Sequence, residues 1–219
     1  MKAIICTVVM GLVTGFSAAA LAQAPPPPVV EVAIDKLALT LIPAKNAAKL
    51  KVSTPGFADG ADIPFEYTQF RDNKFPGLAW SKGPRGTRSY IVIMQDTDGR
   101  RNDEPILHWT MFNIPAKLTK LAPGLTAPPA GAMFGPNVVG LNHAYMGPRP
   151  RPGPKHRYRL QVFAMDIALP ADATLTWDAL KAAMAGHVLA SGQVVGLGQA
   201  DPSAPPPASP PASPPAPPK

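Results

Sequence analysis

Ser89-Tyr90-Ile91-Val92-Ile93-Met94 is a near-continuous apolar run. A run of this kind predicts a strand buried on both faces, hence the middle of a sheet. Two further strands are expected beside it. Ile106 to Ile114 holds His108 and Trp109, and His156 to Asp166 alternates cleanly. In the latter, Tyr158, Leu160, Val162 and Ala164 share one face, and Arg159, Gln161, Phe163 and Met165 the other. Shorter β-type segments are read at Leu37 to Ile42, Leu50 to Ser53, Phe65-Glu66-Tyr67-Thr68 and Gly77 to Trp80, with a last strand at Val188 to Leu197. One helix is expected. Thr176 is its N-cap, Asp178 favours its first turn, Trp177, Leu180, Ala183 and Met184 recur at helical spacing, and Gly186 ends it. Gly- and Pro-rich loops separate these segments at 59–64, 82–86, 123–136 and 147–154. The sum is a mainly β domain of packed sheets with a helix near its end.

The whole chain has 219 residues, with 30 Pro, 18 Gly, one Cys and a formal net charge of +7. An apolar share of 46% permits a real core, and the length suits one domain or two small ones. A lone Cys excludes an intrachain disulfide and a multi-Cys zinc site. Residues 1–22 read as a secretory signal peptide: Lys2, an apolar stretch from Ile4 to Leu21, then Ala20-Leu21-Ala22 before the cut. An uncleaved anchor is the competing reading. Cys6 lies too far from the cleavage site to be a lipoprotein cysteine. Residues 23–28 form a proline-rich spacer, 29–200 the folded domain, and 201–219 a Pro/Ala/Ser tail expected to be extended and without tertiary contacts. The expected location is the bacterial periplasm or the exterior, with no membrane span after cleavage.

Several side chains are candidates for chemistry. Asp96 and Asp98 follow the central strand; on an extended chain they face the same way, fit for acid–base work or a metal, or they organise a turn through backbone bonds. His108 is either a satisfied core residue or a pocket wall. His156 and Tyr158 open another strand, so two His, two Asp and a Tyr converge if the three strands are neighbours. Tyr145-Met146-Gly147-Pro148-Arg149-Pro150 is a stiff loop whose backbone can approach a ligand closely. Arg149, Arg151, Lys155, Arg157 and Arg159 form either a solvated basic face or a means of steering an anion. His143 and His187 are read as a loop residue and a helix-end residue. There is no G-x-S-x-G elbow, P-loop, H-E-x-x-H or dinucleotide fingerprint. An aromatic share of 7% and the absence of a matching motif speak against nucleic acid.

The ordered set of segments resembles the phosphatidylethanolamine-binding protein family, in its bacterial Raf-kinase-inhibitor-like branch. The matching segments are Phe57 to Thr68, Pro76 to Trp80, Pro84 to Tyr90, Asp96-Thr97-Asp98, His108-Trp109 with Asn113-Ile114-Pro115, Tyr145-x-Gly147-Pro148-x-Pro150, His156-Arg157-Tyr158 and Gly186 to Ala190. The resemblance implies a large central sheet packed on a smaller one with a C-terminal helix, and a small pocket for phosphate-like groups. Asp96 and Asp98 match the family's D-P-D-x-P, and His108 its pocket histidine. Tyr145, Gly147 and Pro148 match the G-x-P loop, and His156 and Tyr158 the H-R-Y. The sequence departs at Thr97, Gly99, Arg100 and Arg151, where family prolines or alanine are replaced.

The expected function is that of a non-catalytic binding protein for a small anion, with no cofactor and no metal. His108 and His156 would donate to the anion, and backbone amides of the Gly/Pro loop would join them. Asp96 and Asp98 would orient the histidines and keep them protonated. A protein–protein inhibitor of a protease or kinase is the alternative, and a hydrolase using the Asp pair the least favoured.

Overall fold

A computed structural model describes residues 34–172 and 174–204. The signal-peptide, spacer and tail assignments at 1–22, 23–28 and 205–219 fall outside the described residues. In chain order the elements are α1 (Ala38–Leu41), β1 (Ala48–Lys49), β2 (Val52–Ser53), β3 (Leu78–Trp80), β4 (Ser89–Arg101), β5 (Glu104–Pro115), β6 (Lys120–Leu121), β7 (Met133–Phe134), β8 (His156–Met165), α2 (Trp177–Met184) and β9 (Val188–Gly198). The large sheet has the order β1-β9-β8-β4-β5-β7, and the small one β2-β3-β6. Only β1 and β9 run parallel among these pairs.

As expected from its unbroken apolar run, β4 lies inside the large sheet between β5 and β8 and is buried on both faces. Tyr90, Val92 and Met94 face the small sheet, where they meet Trp109, Leu160, Val162, Leu78 and Trp80. Ile91 and Ile93 face the other way with Phe163 and Met165, under a cover that includes Ala38, Ile42, Leu180 and Met184. The alternation read in β8 thus divides the two cores, and the layers are small sheet, large sheet, helices. In α2 the Thr176 hydroxyl oxygen accepts from Ala179 N at 3.2 Å, as an N-cap does.

Four expectations are corrected. Residues 37–42 contain helix α1, not a strand. Its first amides are taken by glutamines of the large sheet: Ala38 N donates to Gln95 Oε1 and Leu39 N to Gln161 Oε1, both at 2.9 Å. No local pattern announces such a cap from residues far along the chain. Residues 65–67 form a 3₁₀ turn after Pro64 rather than a strand, closed by Thr68 N and Thr68 Oγ1, both donating to Phe65 O. The loop at 123–136 contains the short strand β7, which pairs with β5. The tail does not begin free of contacts at residue 201: Asp201 is buried and accepts from Arg71 Nε at 2.8 Å.

Candidate functional site

The ends of β4 and β5 and the start of β8 lie side by side, and irregularities in the ladder aim the side chains. Asp96 stands opposite Tyr158 on β8 and Ile106 on β5. Met94 faces Trp109 and Gln95 faces Leu107, which leaves His108 as the extra residue of a bulge. A bulge re-aims one side chain without breaking the strand. A second irregularity lies between Asp96/Ile106 and Arg100/Pro105, so Thr97, Asp98 and Gly99 arch away from β5. The extended geometry expected for Asp96 and Asp98 therefore does not hold. Asp96 Oδ1 accepts from the backbone amides of Asp98 (2.9 Å) and Gly99 (2.8 Å) and shapes the arch, which is the turn-organising reading.

The two carboxylates part company. Asp96 is 2% exposed and takes the His156 Nδ1 hydrogen bond on Oδ2 at 2.8 Å. Burial pushes its carboxyl up, but the His156 bond, the charge of that ring and the Gly99 amide outweigh burial and hold it below the usual carboxylate range. His156 is raised in turn, first by the bond to Asp96, against partial burial, with the charges of Asp96 and Asp98 adding. Asp98 orients no histidine. Its Oδ2 accepts from Arg157 N (2.6 Å) and Arg157 Nε (2.9 Å), fastening the arch to the start of β8.

His108 and His156 meet on one ring. His108 packs edge-on to Tyr158 at 5.1 Å between centroids, and His156 stacks on it at 6.4 Å. Burial first, then the neighbouring Asp96 carboxylate, raises the pKa of the Tyr158 hydroxyl. His108 corrects the expectation that both histidines are kept protonated. Burial lowers its pKa, against the field of Asp96 and the carbonyls of Met146 and Gly147. Its Nδ1 lies 3.1 Å from Met146 O, and a carbonyl only accepts, so the proton of the neutral ring is assigned to Nδ1 and Nε2 presents a lone pair.

The loop at 145–150 is braced from behind. Gly147 N donates to Asn73 Oδ1 at 2.8 Å, Gln69 Nε2 donates to Gly147 O at 2.6 Å, and Asn73 Nδ2 donates to Tyr145 O at 3.2 Å. A Cβ on Gly147 would sit 2.3 Å from Tyr67 O, so this position admits only glycine. The Gly147 amide is committed to Asn73, and Pro148 and Pro150 lack N–H groups, so these three positions add no donor to the expected cradle of loop amides. Pro148 is buried beside Gly198 and Tyr158. Tyr145 points into the core against Phe75 and Trp109, and its hydroxyl donates to Tyr67 O at 3.1 Å.

The basic stretch divides as well. Arg157 serves Asp98, Lys155 pairs with Asp62 at 2.6 Å, Arg159 is buried, and Arg149 lies over Phe70 at 5.9 Å with Arg151 exposed beyond it. Gln69 and Asn73 escaped the sequence reading; the only local hint is that Asn73 adopts φ 50°, a conformation asparagine tolerates. His143 lies in a loop, and His187 follows α2, where Nδ1 bonds Asp166 at 2.8 Å. Among the described residues no three His, Cys, Asp or Glu side chains gather as a metal site, and no helix is long and apolar enough to cross a membrane.

Known proteins resemble this chain in sequence and fold. The family model described as phosphatidylethanolamine-binding protein matches residues 53–199. A UPF0098 protein of Chlamydia pneumoniae is 33% identical over 150 residues, covering 67% of this chain and 97% of the relative. LppC, a candidate lipoprotein of Mycobacterium tuberculosis, is 35% identical over 154 residues, covering 69% of this chain and 72% of its own. Two solved structures superpose. A candidate phosphatidylethanolamine-binding protein homologue from Chlamydia trachomatis has a TM-score of 0.64 at 29% identity, covering 71% of this chain and all (100%) of that one. Escherichia coli YbcL, described as a new member of the mammalian family, has a TM-score of 0.63 at 25% identity, covering 70% and 100%. The order of strands, the layers and these matches agree: the chain belongs to the phosphatidylethanolamine-binding protein family.

Proposed function

We propose that the chain is an exported binding protein whose site, at Asp96, His108, His156 and Tyr158, takes a small anion such as phosphate or a phosphoester head group. The observation that carries this reading is the pair of imidazoles on the Tyr158 ring, one of them bonded to a buried carboxylate that favours its cationic form. His156 Nδ1 is committed to Asp96, so Nε2 is left to donate to a ligand. Gly147 and Pro148 form a wall whose position Asn73 and Gln69 set; Tyr145 and Asp98 act behind it, through Tyr67 and Arg157. The family's name, and the lipoprotein description of the mycobacterial relative, support the ligand class and the export.

The commitment of both carboxylates to neighbouring groups supports binding rather than catalysis. Asp96 receives two amides and the His156 ring, and both oxygens of Asp98 receive Arg157. Neither carboxylate is left to act as a general base. Because neutral His108 offers a lone pair at Nε2, it joins an anion only by taking up a proton, and its contribution to affinity therefore grows on acidification below the ordinary histidine range. Titration calorimetry with inorganic phosphate and with phosphoethanolamine tests both points. The expected result is saturable heat in the wild type, lost in His156→Ala and reduced in His108→Ala, with heats that vary with the buffer's ionisation enthalpy. Equal heats in all three proteins would refute the site.

A further inference from the structure

The end of the molecule opposite these histidines carries a cluster of basic side chains. Acidic residues are segregated along the chain: none occurs at 36–58, 73–95 or 105–165. The fold brings parts of those three stretches together. Lys51 N donates to Ser81 Oγ at 3.0 Å, Trp80 N donates to Thr119 O at 2.9 Å, and Ala79 pairs with Lys120. Lys51, Lys82, Arg85, Lys117 and Lys120 are therefore exposed in one neighbourhood, and none has a carboxylate partner among the described residues.

Within that field lies a cavity of about 410 Å³, lined by Lys82, Arg85, Gly86, Thr87, Tyr90 and Ala116 among others. Its wall is a rigid turn. Thr87 N and Thr87 Oγ1 both donate to Pro84 O, at 3.1 and 2.8 Å, and Gly86 holds φ 94° at the crest. The crest amides of Arg85 and Gly86 have no intramolecular acceptor among the described residues. The buried Tyr90 hydroxyl oxygen accepts from Gly83 N at 2.8 Å and braces the turn from the core side. Two cationic side chains and two amides without an intramolecular acceptor are donors that suit a tetrahedral oxyanion. The volume falls in the range of small-molecule sites, so it suits an esterified phosphate better than a bare ion.

We propose that the cavity at 82–87 is a phosphate-monoester site, separate from the Asp96 end and about 20 Å from it along β4. The phosphate belongs either to a soluble monoester or to a lipid surface. Amide resonances of Gly83, Arg85, Gly86 and Thr87 in the full chain report on it without interference from the other end. Titration with inorganic phosphate and with glycerol 3-phosphate is expected to shift them saturably. Lys82→Gln/Arg85→Gln is expected to raise Kd about tenfold or more, through loss of two charge-assisted contacts. Both substitutions lie on an exposed turn, so an unchanged Tm separates lost binding from lost folding.

Co-sedimentation with phosphatidylcholine vesicles containing phosphatidylglycerol is the second arm. Vesicle binding that the double variant abolishes identifies lipid phosphate; saturation by glycerol 3-phosphate without vesicle binding identifies a soluble ligand. Shifts that do not saturate, or that persist unchanged in the double variant, together with vesicle binding indifferent to it, would overturn the site.

Discussion

Asp96→Asn isolates the link between the buried carboxylate and His156. The amide oxygen of asparagine still accepts from Asp98 N and Gly99 N, so the arch after β4 survives. Its NH₂ group, however, now faces His156 Nδ1, which donates in the wild type at 2.8 Å. The ring must give up its Nδ1 proton or lose the bond, and the cationic form loses its partner. A hydrogen bond to a charged group contributes about 1.5–3 kcal/mol, and the smaller desolvation cost of a buried amide offsets part of that. The expected net loss is roughly 1–2 kcal/mol near pH 5.5, or about 2–8 °C in Tm for a domain of this size.

The pH dependence follows from the directions of the shifts. His156 is raised in the folded state, so its contribution is fully present below its unfolded value and is lost as pH rises through its folded value. Asp96 is lowered, so its contribution is present above its unfolded value and is lost as pH falls through its folded one. The difference between wild type and variant should therefore be greatest between about pH 4 and 6.5 and shrink at pH 8.5. His108, lowered by burial, adds stability above its unfolded value that is lost on acidification, and largely cancels in the difference. Urea denaturation at pH 5.5 and 8.5, with an NMR titration of the His156 ring, makes the measurement. A His156 pKa unchanged by the substitution, or an equal destabilisation at both pH values, would refute the coupling.

Gly147→Ala places a methyl 2.3 Å from the Tyr67 carbonyl and should cost about 1–3 kcal/mol in urea denaturation, with weakened phosphate binding because the loop must shift. Gln95→Ala removes the acceptor of the Ala38 amide and leaves that buried donor unpaired, a loss of about 1–3 kcal/mol. Hydrogen exchange at Ala38 and Leu39 should accelerate ahead of exchange in β4; unchanged protection there would contradict the docking of α1.

The candidate site was legible in part. Asp96, His108, His156 and Tyr158 are visible because each sits at a recognisable place on a long strand, and the structure brings them together. Their electrical states were not visible. His108 and His156 look alike in sequence, yet one is buried against a carbonyl and the other shares a proton with Asp96, so their pKa values move apart. Asp98 reads as a twin of Asp96 until the arch sends it to Arg157. Asn73 and Gln69, which set the Gly147 wall, come from a segment without periodicity.

By itself the amino-acid order determined the long elements: β4, β5, β8, β9 and α2 each carry enough periodic apolar residues that only one burial pattern satisfies them. It also determined the two faces of β8, because side chains alternate along any strand. Tertiary structure decided what is short or polar. Helix α1 exists where Gln95 and Gln161 wait for its amides, and residues 65–67 turn because the chain must follow Pro64. The Gly147 amide of the 145–150 loop was given to Asn73 rather than to a ligand. A few residues cannot outweigh their surroundings: a short segment's own preference is worth less than one buried hydrogen bond, and a titratable group's charge depends on neighbours that only folding supplies.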